Sequence, residues 1–167
     1  MAKKFIPKLL PWHFPKKKSE EGEKGKKDII VCPECEAFYW YKSWHHSLDE
    51  YPELKENKEV KFELCPACKM TKEGKFEGEV ILENVPEKIR EELVNFINNF
   101  NEEENRRDPL ARIISVEDIA KGMIRVTFTQ NQLAKKLAKR LKKTYKTQNR
   151  IIFSKKDKTI RAFCVFG

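Results

Sequence analysis

Apolar residues in the second half of the chain recur with the period of an α-helix in two places. The first stripe predicts a helix that opens at Pro86 and ends no later than Pro109. Its apolar members are Ile89, Leu93, Phe96, Ile97 and Phe100. The second stripe predicts a helix to about Tyr145, opened by Thr129 and Gln132 at the spacing of a capping box. Its apolar members are Leu133, Ala134, Leu137, Ala138, Leu141 and Tyr145.

Around these helices apolar residues alternate with polar ones, which is the period of a half-buried strand. Ile124, Val126 and Phe128, for example, are separated by Arg125 and Thr127. Further strands are predicted at residues 79–82, 113–116, 151–153 and 160–166. The order along residues 79–167 is then βαββαβ with one extra strand, which we interpret as a ferredoxin-like (split βαβ) α/β sandwich.

The first half of the chain carries shorter apolar runs. Residues 29–31, 37–41 and 60–64 predict short strands, and residues 42–58 predict a charged loop that contains Trp44, His45 and His46. Residues 1–28 predict a disordered basic arm, because prolines interrupt the apolar stretches and a lysine run follows with no apolar period.

Four cysteines, Cys32, Cys35, Cys65 and Cys68, form two Cys-Pro-x-Cys elements. Each element can turn a tight knuckle that points two thiolates at one place, and four thiolates make the closed tetrahedral site that structural Zn²⁺ prefers. The sequence shows no secretory signal, so a metal site is favoured over disulfides. A closed site leaves no position for water or substrate, so the zinc is expected to be structural. Iron in a rubredoxin-type site is the alternative.

The remaining candidates for chemistry are weaker. Adjacent residues in an extended segment point to opposite faces, so His45 and His46 cannot readily serve one site, and we interpret them as loop or surface residues. Cys164 alternates with apolar residues and is expected to be a buried core thiol. No phosphate-binding loop or nucleophile motif is present. We therefore expect a protein that is not an enzyme and takes no small-molecule substrate.

Charge is strongly segregated along the chain. The 35 Lys and Arg residues exceed the 26 Asp and Glu residues, which gives a net charge of +9. Residues 1–28 carry a net +5, residues 29–129 a net −7, and residues 130–161 a net +11 with Asp157 as their only acid. A basic arm and a basic end that flank an acidic middle indicate a protein that binds a polyanion.

The outward face of the second predicted helix carries most of this positive charge. No acidic residue interrupts its basic run, so no ion pair within the helix offsets the repulsion. We interpret this face, extended by the following hairpin, as a binding surface for a phosphate backbone; an ordinary solvated face is the alternative. The candidate binding residues are Lys135, Lys136, Lys139, Arg140, Lys142, Lys143, Lys155, Lys156 and Lys158. A group of aromatic residues close to Lys42 could either stack on unpaired bases or form the core of the cysteine module. These residues are Tyr39, Trp40, Tyr41 and Trp44.

The motifs together resemble a known family. The chain resembles the N-terminal region of the large-ribosomal-subunit export adaptor family and its archaeal relatives. The similarity lies in both Cys-Pro-x-Cys elements, in the stretch 74–82 and in the strand 124–128 that leads into residues 133–138. Small bacterial zinc-ribbon proteins of unassigned function are similar as well. The resemblance covers roughly residues 29–166 and implies zinc at the four cysteines and a role that involves ribosomal RNA or ribosome assembly. Glu36 and Lys69 depart from it, since the family usually has Gly after each cysteine pair.

The sequence therefore predicts an α+β protein with a disordered basic arm at 1–28, a small Cys₄ zinc-ribbon module at 29–78 and an α/β domain with a basic helix at 79–167. The expected function is binding of RNA, ribosomal by the resemblance, in the cytoplasm and without a membrane partner. One alternative is a protein-interaction adaptor that docks a protein partner through the ribbon and the acidic segment Glu102–Glu104. The other is a transcription-related protein that binds duplex DNA.

Overall fold

The computed structural model describes residues 29–56 and 59–167. It is a mixed α+β protein with two mixed sheets, and it divides into two compact units, of which the first ends at Leu64 and the second is Cys65–Gly167. The disordered arm predicted at 1–28 lies outside the described residues.

The described elements of the first unit are β1 (Ile29–Val31), β2 (Phe38–Trp40), β3 (Ser43–His45), α1 (Pro52–Glu56) and β4 (Val60–Phe62). The strands form a four-stranded sheet in the order β3-β2-β1-β4, in which β1 is parallel to β4 and antiparallel to β2. A small core of Ile29, Phe38, Tyr51 and Leu54 is buried under this sheet.

The prediction of a loop over residues 42–58 was wrong, because the segment contains β3, a 3₁₀ turn at Leu48–Glu50 and α1. His45 is a half-buried strand residue: its ring stacks on Phe38 with centroids 5.0 Å apart, and its Nε2 lies 3.3 Å from the carbonyl oxygen of Trp40. The aromatic packing of this small core therefore orders a segment whose charge alone indicated a loop.

The second unit holds a five-stranded sheet in the order β6-β7-β5-β9-β8. Its elements are α2 (Pro66–Glu73), β5 (Gly78–Glu83), α3 (Arg90–Arg107), β6 (Ile113–Ala120), β7 (Met123–Phe128), α4 (Asn131–Tyr145), β8 (Gln148–Ser154) and β9 (Thr159–Val165). The extra strand, β9, lies between β5 and β8 and runs parallel to β5. Because the strand that follows α4 is not the neighbour of β5, the ferredoxin-like assignment stays a prediction.

Helices α3 and α4 bury their apolar stripes against one face of this sheet. Both stripes agree with the sequence prediction, and the core they form includes Val80, Leu82, Leu93, Ile97, Phe100, Val126, Phe128, Leu133, Leu137, Leu141, Ala162 and Cys164. The start of α4 differs from the prediction, since Gln130 and not Thr129 occupies the N-cap position. The buried Thr129 hydroxyl instead donates to the carbonyl of Leu110 at 2.7 Å, so tertiary contacts have taken it from the cap.

Candidate metal centre and basic surface

The first cysteine pair lies in a knuckle that follows β1. Cys32 N–H donates to the carbonyl of Ala37 at 2.8 Å, and Glu36 N–H donates to the carbonyl of Cys32 at 2.9 Å. Glu36 has a φ of 62°, in the left-handed region that glycine adopts most easily. The resemblance leads us to expect Gly at this position, and the backbone conformation explains why; here an exposed glutamate adopts it.

The second cysteine pair lies at the start of a helix. Cys65 is the N-cap of α2, Pro66 is its first residue, and Cys68 N–H donates to the Cys65 Sγ at 3.4 Å. Lys69 continues the helix, with its N–H donating to the carbonyl of Cys65 at 2.9 Å. The sequence predicted a second knuckle here; because the chain turns into a right-handed helix, no glycine is required at Lys69.

The four cysteines converge, as the sequence predicted. Their Sγ atoms all lie within 4.8 Å of one another. Tetrahedral zinc with Zn–S bonds of about 2.3 Å requires sulfurs roughly 3.8 Å apart, so small adjustments within this cluster would accommodate the ion. Cys32, Cys65 and Cys68 are buried and Cys35 is half-buried, which suits a closed structural site. The cluster is compatible with a structural metal ion.

Arg112, immediately before β6, reaches the second cysteine pair within the second unit. Its Nη1 donates to the Cys68 Sγ at 3.4 Å and its Nη2 to the Cys65 Sγ at 3.8 Å. Its Nε donates to the carbonyl of Pro109 at 2.8 Å, which fixes the plane of the guanidinium. Four thiolates around a divalent ion leave a net charge of −2, which an adjacent guanidinium offsets. Sequence reasoning missed Arg112, because it follows the cysteines by more than forty residues and no spacing signals the contact.

The basic face of α4 divides into two rows. On the side of α3, Lys136 pairs with the buried carboxylate of Glu104, and Arg140 Nη1 lies 2.7 Å from Glu103 Oε2. The other row is exposed and, in the part of the chain that the structure describes, has no carboxylate partner. This second row, called the free lysine row below, consists of Lys135, Lys139 and Lys142. Lys143 is exposed as well, but it follows Lys136 by seven residues and therefore lies in line with the first row.

The three hairpin lysines predicted to extend this surface are exposed in the turn and at its margin between β8 and β9. They are Lys155, Lys156 and Lys158. The chain reverses after α4 at Lys146, and Asn149 Nδ2 of β8 donates to the carbonyl of Ala138 at 2.6 Å. Because β8 therefore runs back along α4, the hairpin lysines lie towards the N-terminal half of that helix.

The acidic segment Glu102–Glu104, considered above as a docking site for a protein, is engaged in ion pairs. Glu102 lies 3.8 Å from Arg106, and the other two acids hold the α4 residues Arg140 and Lys136. Glu103 and Glu104 therefore join α3 to α4, whereas the Glu102 pair lies within α3.

The remaining sequence candidates have structural places. Cys164 is fully buried in the core, as predicted, and desolvation raises the pKa of its thiol to about 12. Tyr39 packs on Trp44 with ring centroids 5.5 Å apart, whereas Tyr41 is exposed. The aromatic group thus serves partly as local packing. None of the helices in the described ranges is long and apolar enough to cross a membrane.

Comparison with known proteins gives no assignment. No protein-family model matches the chain, and no curated protein matches it either.

Proposed function

We propose that the protein binds RNA through the free lysine row and the hairpin lysines, with a structural zinc ion at the cysteine cluster. The observation that carries the proposal is the asymmetry of α4. Acidic residues of α3 neutralise Lys136 and Arg140, but Lys135, Lys139 and Lys142 repeat at spacings of four and three with no carboxylate beside them among the residues that the structure describes. Such spacing places like charges side by side on one helix face. The phosphates of a bound polyanion would offset the repulsion between these charges.

Two arguments support RNA, and ribosomal RNA in particular, as the polyanion. The sequence resembles a family associated with the large ribosomal subunit, and that resemblance includes residues 133–138 at the start of the basic helix. The competing adaptor function would use Glu102–Glu104, but Glu104 is buried against Lys136, and Glu103 pairs with Arg140.

Zinc is proposed for the metal because four converging thiolates make the closed set that structural zinc prefers, and iron in a rubredoxin-type site, with the same ligands, stays the alternative. The ion would link the knuckle after β1 to the first turn of α2. It would contribute folding free energy to the cysteine module, since so short a segment buries little apolar surface of its own.

The test compares two charge-reversal variants of equal net charge. The surface variant carries Lys135→Glu, Lys139→Glu and Lys142→Glu, and the control carries Lys69→Glu, Lys88→Glu and Lys121→Glu. All six lysines are exposed, and each triple reversal lowers the net charge from +9 to +3. Binding to a structured ribosomal RNA fragment and to duplex DNA is measured by fluorescence anisotropy at the same salt concentration.

We expect the surface variant to bind the RNA on the order of tenfold or more weakly than the control variant. Circular dichroism checks that both variants stay folded. Equal RNA affinities of the two variants would refute the proposed surface. Tighter binding of the wild-type protein to duplex DNA than to RNA would instead favour the transcription-related alternative.

A further inference from the structure

The two edges of the five-stranded sheet differ in their protection against an additional strand. The β6 edge is irregular: its register shifts between Ile113 and Ser115 and again between Asp118 and Ala120, and Glu117 and Asp118 lie in mid-strand. Irregular pairing and charges discourage edge-to-edge pairing. The β8 edge is more regular: it pairs with β9 from Gln148 to Ser154 without a register shift, and Arg150 is its only charged residue.

Strand β8 also exposes three consecutive large apolar side chains. Ile151, Ile152 and Phe153 are 48%, 43% and 54% exposed. Ile151 is opposite Ala162 in the register and Phe153 is opposite Ile160, so both lie on the side that the helices cover, whereas Ile152 lies on the other side. The apolar residues of an added strand could therefore cover Ile151 and Phe153 together from one side of the sheet.

The charge around β8 defines what kind of strand would fit. Arg150, Lys155 and Lys156 flank the apolar residues. The nearest acid in the sequence, Asp157, accepts a hydrogen bond from the Ser154 hydroxyl at 3.3 Å. If a second copy of β8 paired with this edge, the cations of the two copies would repel each other, whereas an acidic segment would be attracted to them.

We propose that the β8 edge is a docking site for an extended acidic segment of a partner protein, with apolar residues alternating with Asp or Glu. The segment adds as a sixth strand through backbone hydrogen bonds. Its apolar side chains cover Ile151 and Phe153 on the side of the helices, and its carboxylates lie on the other side of the sheet, where Arg150 lies. RNA fits these features less well, because it cannot continue the backbone ladder. The site shares Lys155 and Lys156 with the proposed RNA-binding surface, but Ile151, Ile152 and Phe153 are not part of that surface.

The probe is a fluorescently labelled synthetic peptide of nine residues in which Val and Glu alternate. We expect it to bind the full chain, and we expect the β8 amides to exchange more slowly with solvent when it is bound. A version with Pro at its centre should lose binding, because Pro lacks a backbone donor. The variant Ile151→Ser with Phe153→Ser removes the apolar contacts without adding charge and should bind about tenfold or more weakly. Val116→Ser with Ile119→Ser, at exposed positions of β6, is the matched control and should bind normally.

Several results would overturn the proposal. Equal binding of the Pro-containing peptide, or of a peptide of Glu alone, would show that charge accounts for all the attraction. Normal binding to the β8 variant would place the peptide elsewhere. Concentration-dependent self-association in sedimentation, abolished by Ile152→Lys, would make a second copy the occupant. Loss of single-stranded RNA binding in the β8 variant, with no peptide binding by the wild-type protein, would assign the edge to RNA.

Discussion

Replacing Arg112 tests whether the contact between its guanidinium and the cysteine sulfurs stabilises a bound metal ion. Arg112→Met keeps much of the side-chain length but removes the charge and the donors to Cys65 and Cys68. The contact with Cys68 at 3.4 Å is close and the contact with Cys65 at 3.8 Å is long, so the expected effect is worked from the closer one. A hydrogen bond that involves a charged group contributes about 1.5–3 kcal/mol.

Every 1.4 kcal/mol corresponds to a factor of about ten in affinity, so the range for one such bond is roughly 10- to 100-fold. Substitutions in the layer behind metal ligands reduce affinity by a similar factor. Arg112 is only half-buried, and solvent weakens its attraction for the thiolates. We therefore expect about a tenfold loss of zinc affinity.

Zinc affinity is measured by competition with a chromophoric chelator, and the ligand environment by the absorption of the Co²⁺-substituted protein. Arg112→Lys keeps the charge without the fork of donors and should give an intermediate loss. Arg90→Met is the matched control, because Arg90 pairs with Asp118 in the same unit and has no cysteine contact. If Arg112→Met and Arg90→Met retained zinc equally well, the claim that Arg112 stabilises the metal through the cysteine sulfurs would be refuted.

Three further predictions concern the α/β domain. A Cβ at Gly78 would lie 2.8 Å from the carbonyl oxygen of Gln130 and 3.1 Å from the Cβ of Ala134, so Gly78→Ala should lower the free energy of unfolding by about 1–3 kcal/mol. Urea denaturation measures this free energy. Gly74→Asn is the control, because Gly74 has a φ of 65° and open space around it, and it should change the free energy of unfolding by less than about 0.5 kcal/mol. The buried thiol of Cys164, with its pKa raised to about 12, should react with a thiol reagent only as fast as the protein unfolds, and rapid reaction under native conditions would contradict its burial. Burial and the hydrogen bond to Glu92 raise the pKa of Tyr145 to about 12, which favours the neutral phenol in the folded state. The stability that this shift contributes is fully present below pH 10, the ordinary pKa of tyrosine, and is lost as the pH rises through 12. Tyr145→Phe should therefore remove the step at highest pH from the tyrosinate absorbance titration. An unchanged titration would contradict the raised pKa of Tyr145.

The features that could be predicted from the sequence are those encoded by local spacing. The Cys-Pro-x-Cys spacing predicted the cysteine cluster, and the stripe from Leu133 to Tyr145 predicted α4 within two residues at each end. Phe38, Tyr39 and Trp40 predicted β2 in the same way.

The features that could not be predicted depend on contacts between distant segments. The pairing of Lys136 with Glu104 requires α3 and α4 to dock in one particular register. The sequence predicted Thr129 as the helix cap, but its hydroxyl donates to the carbonyl of Leu110, a residue that only the fold brings close. The contact of Arg112 with Cys68 has no counterpart in any local pattern, because only the folded unit brings the two residues together.

The salt dependence of RNA affinity tests the central claim most directly. Affinities of the wild-type protein, the surface variant and the control variant for the same structured RNA are measured over a salt series. Each lysine that neutralises a phosphate contributes about 0.7–0.9 to the slope of log affinity against log salt concentration. The account predicts that replacing Lys135, Lys139 and Lys142 makes this slope shallower by about two to three, whereas replacing Lys69, Lys88 and Lys121 leaves it unchanged. The same slope in both variants would contradict the claim that α4 contacts RNA.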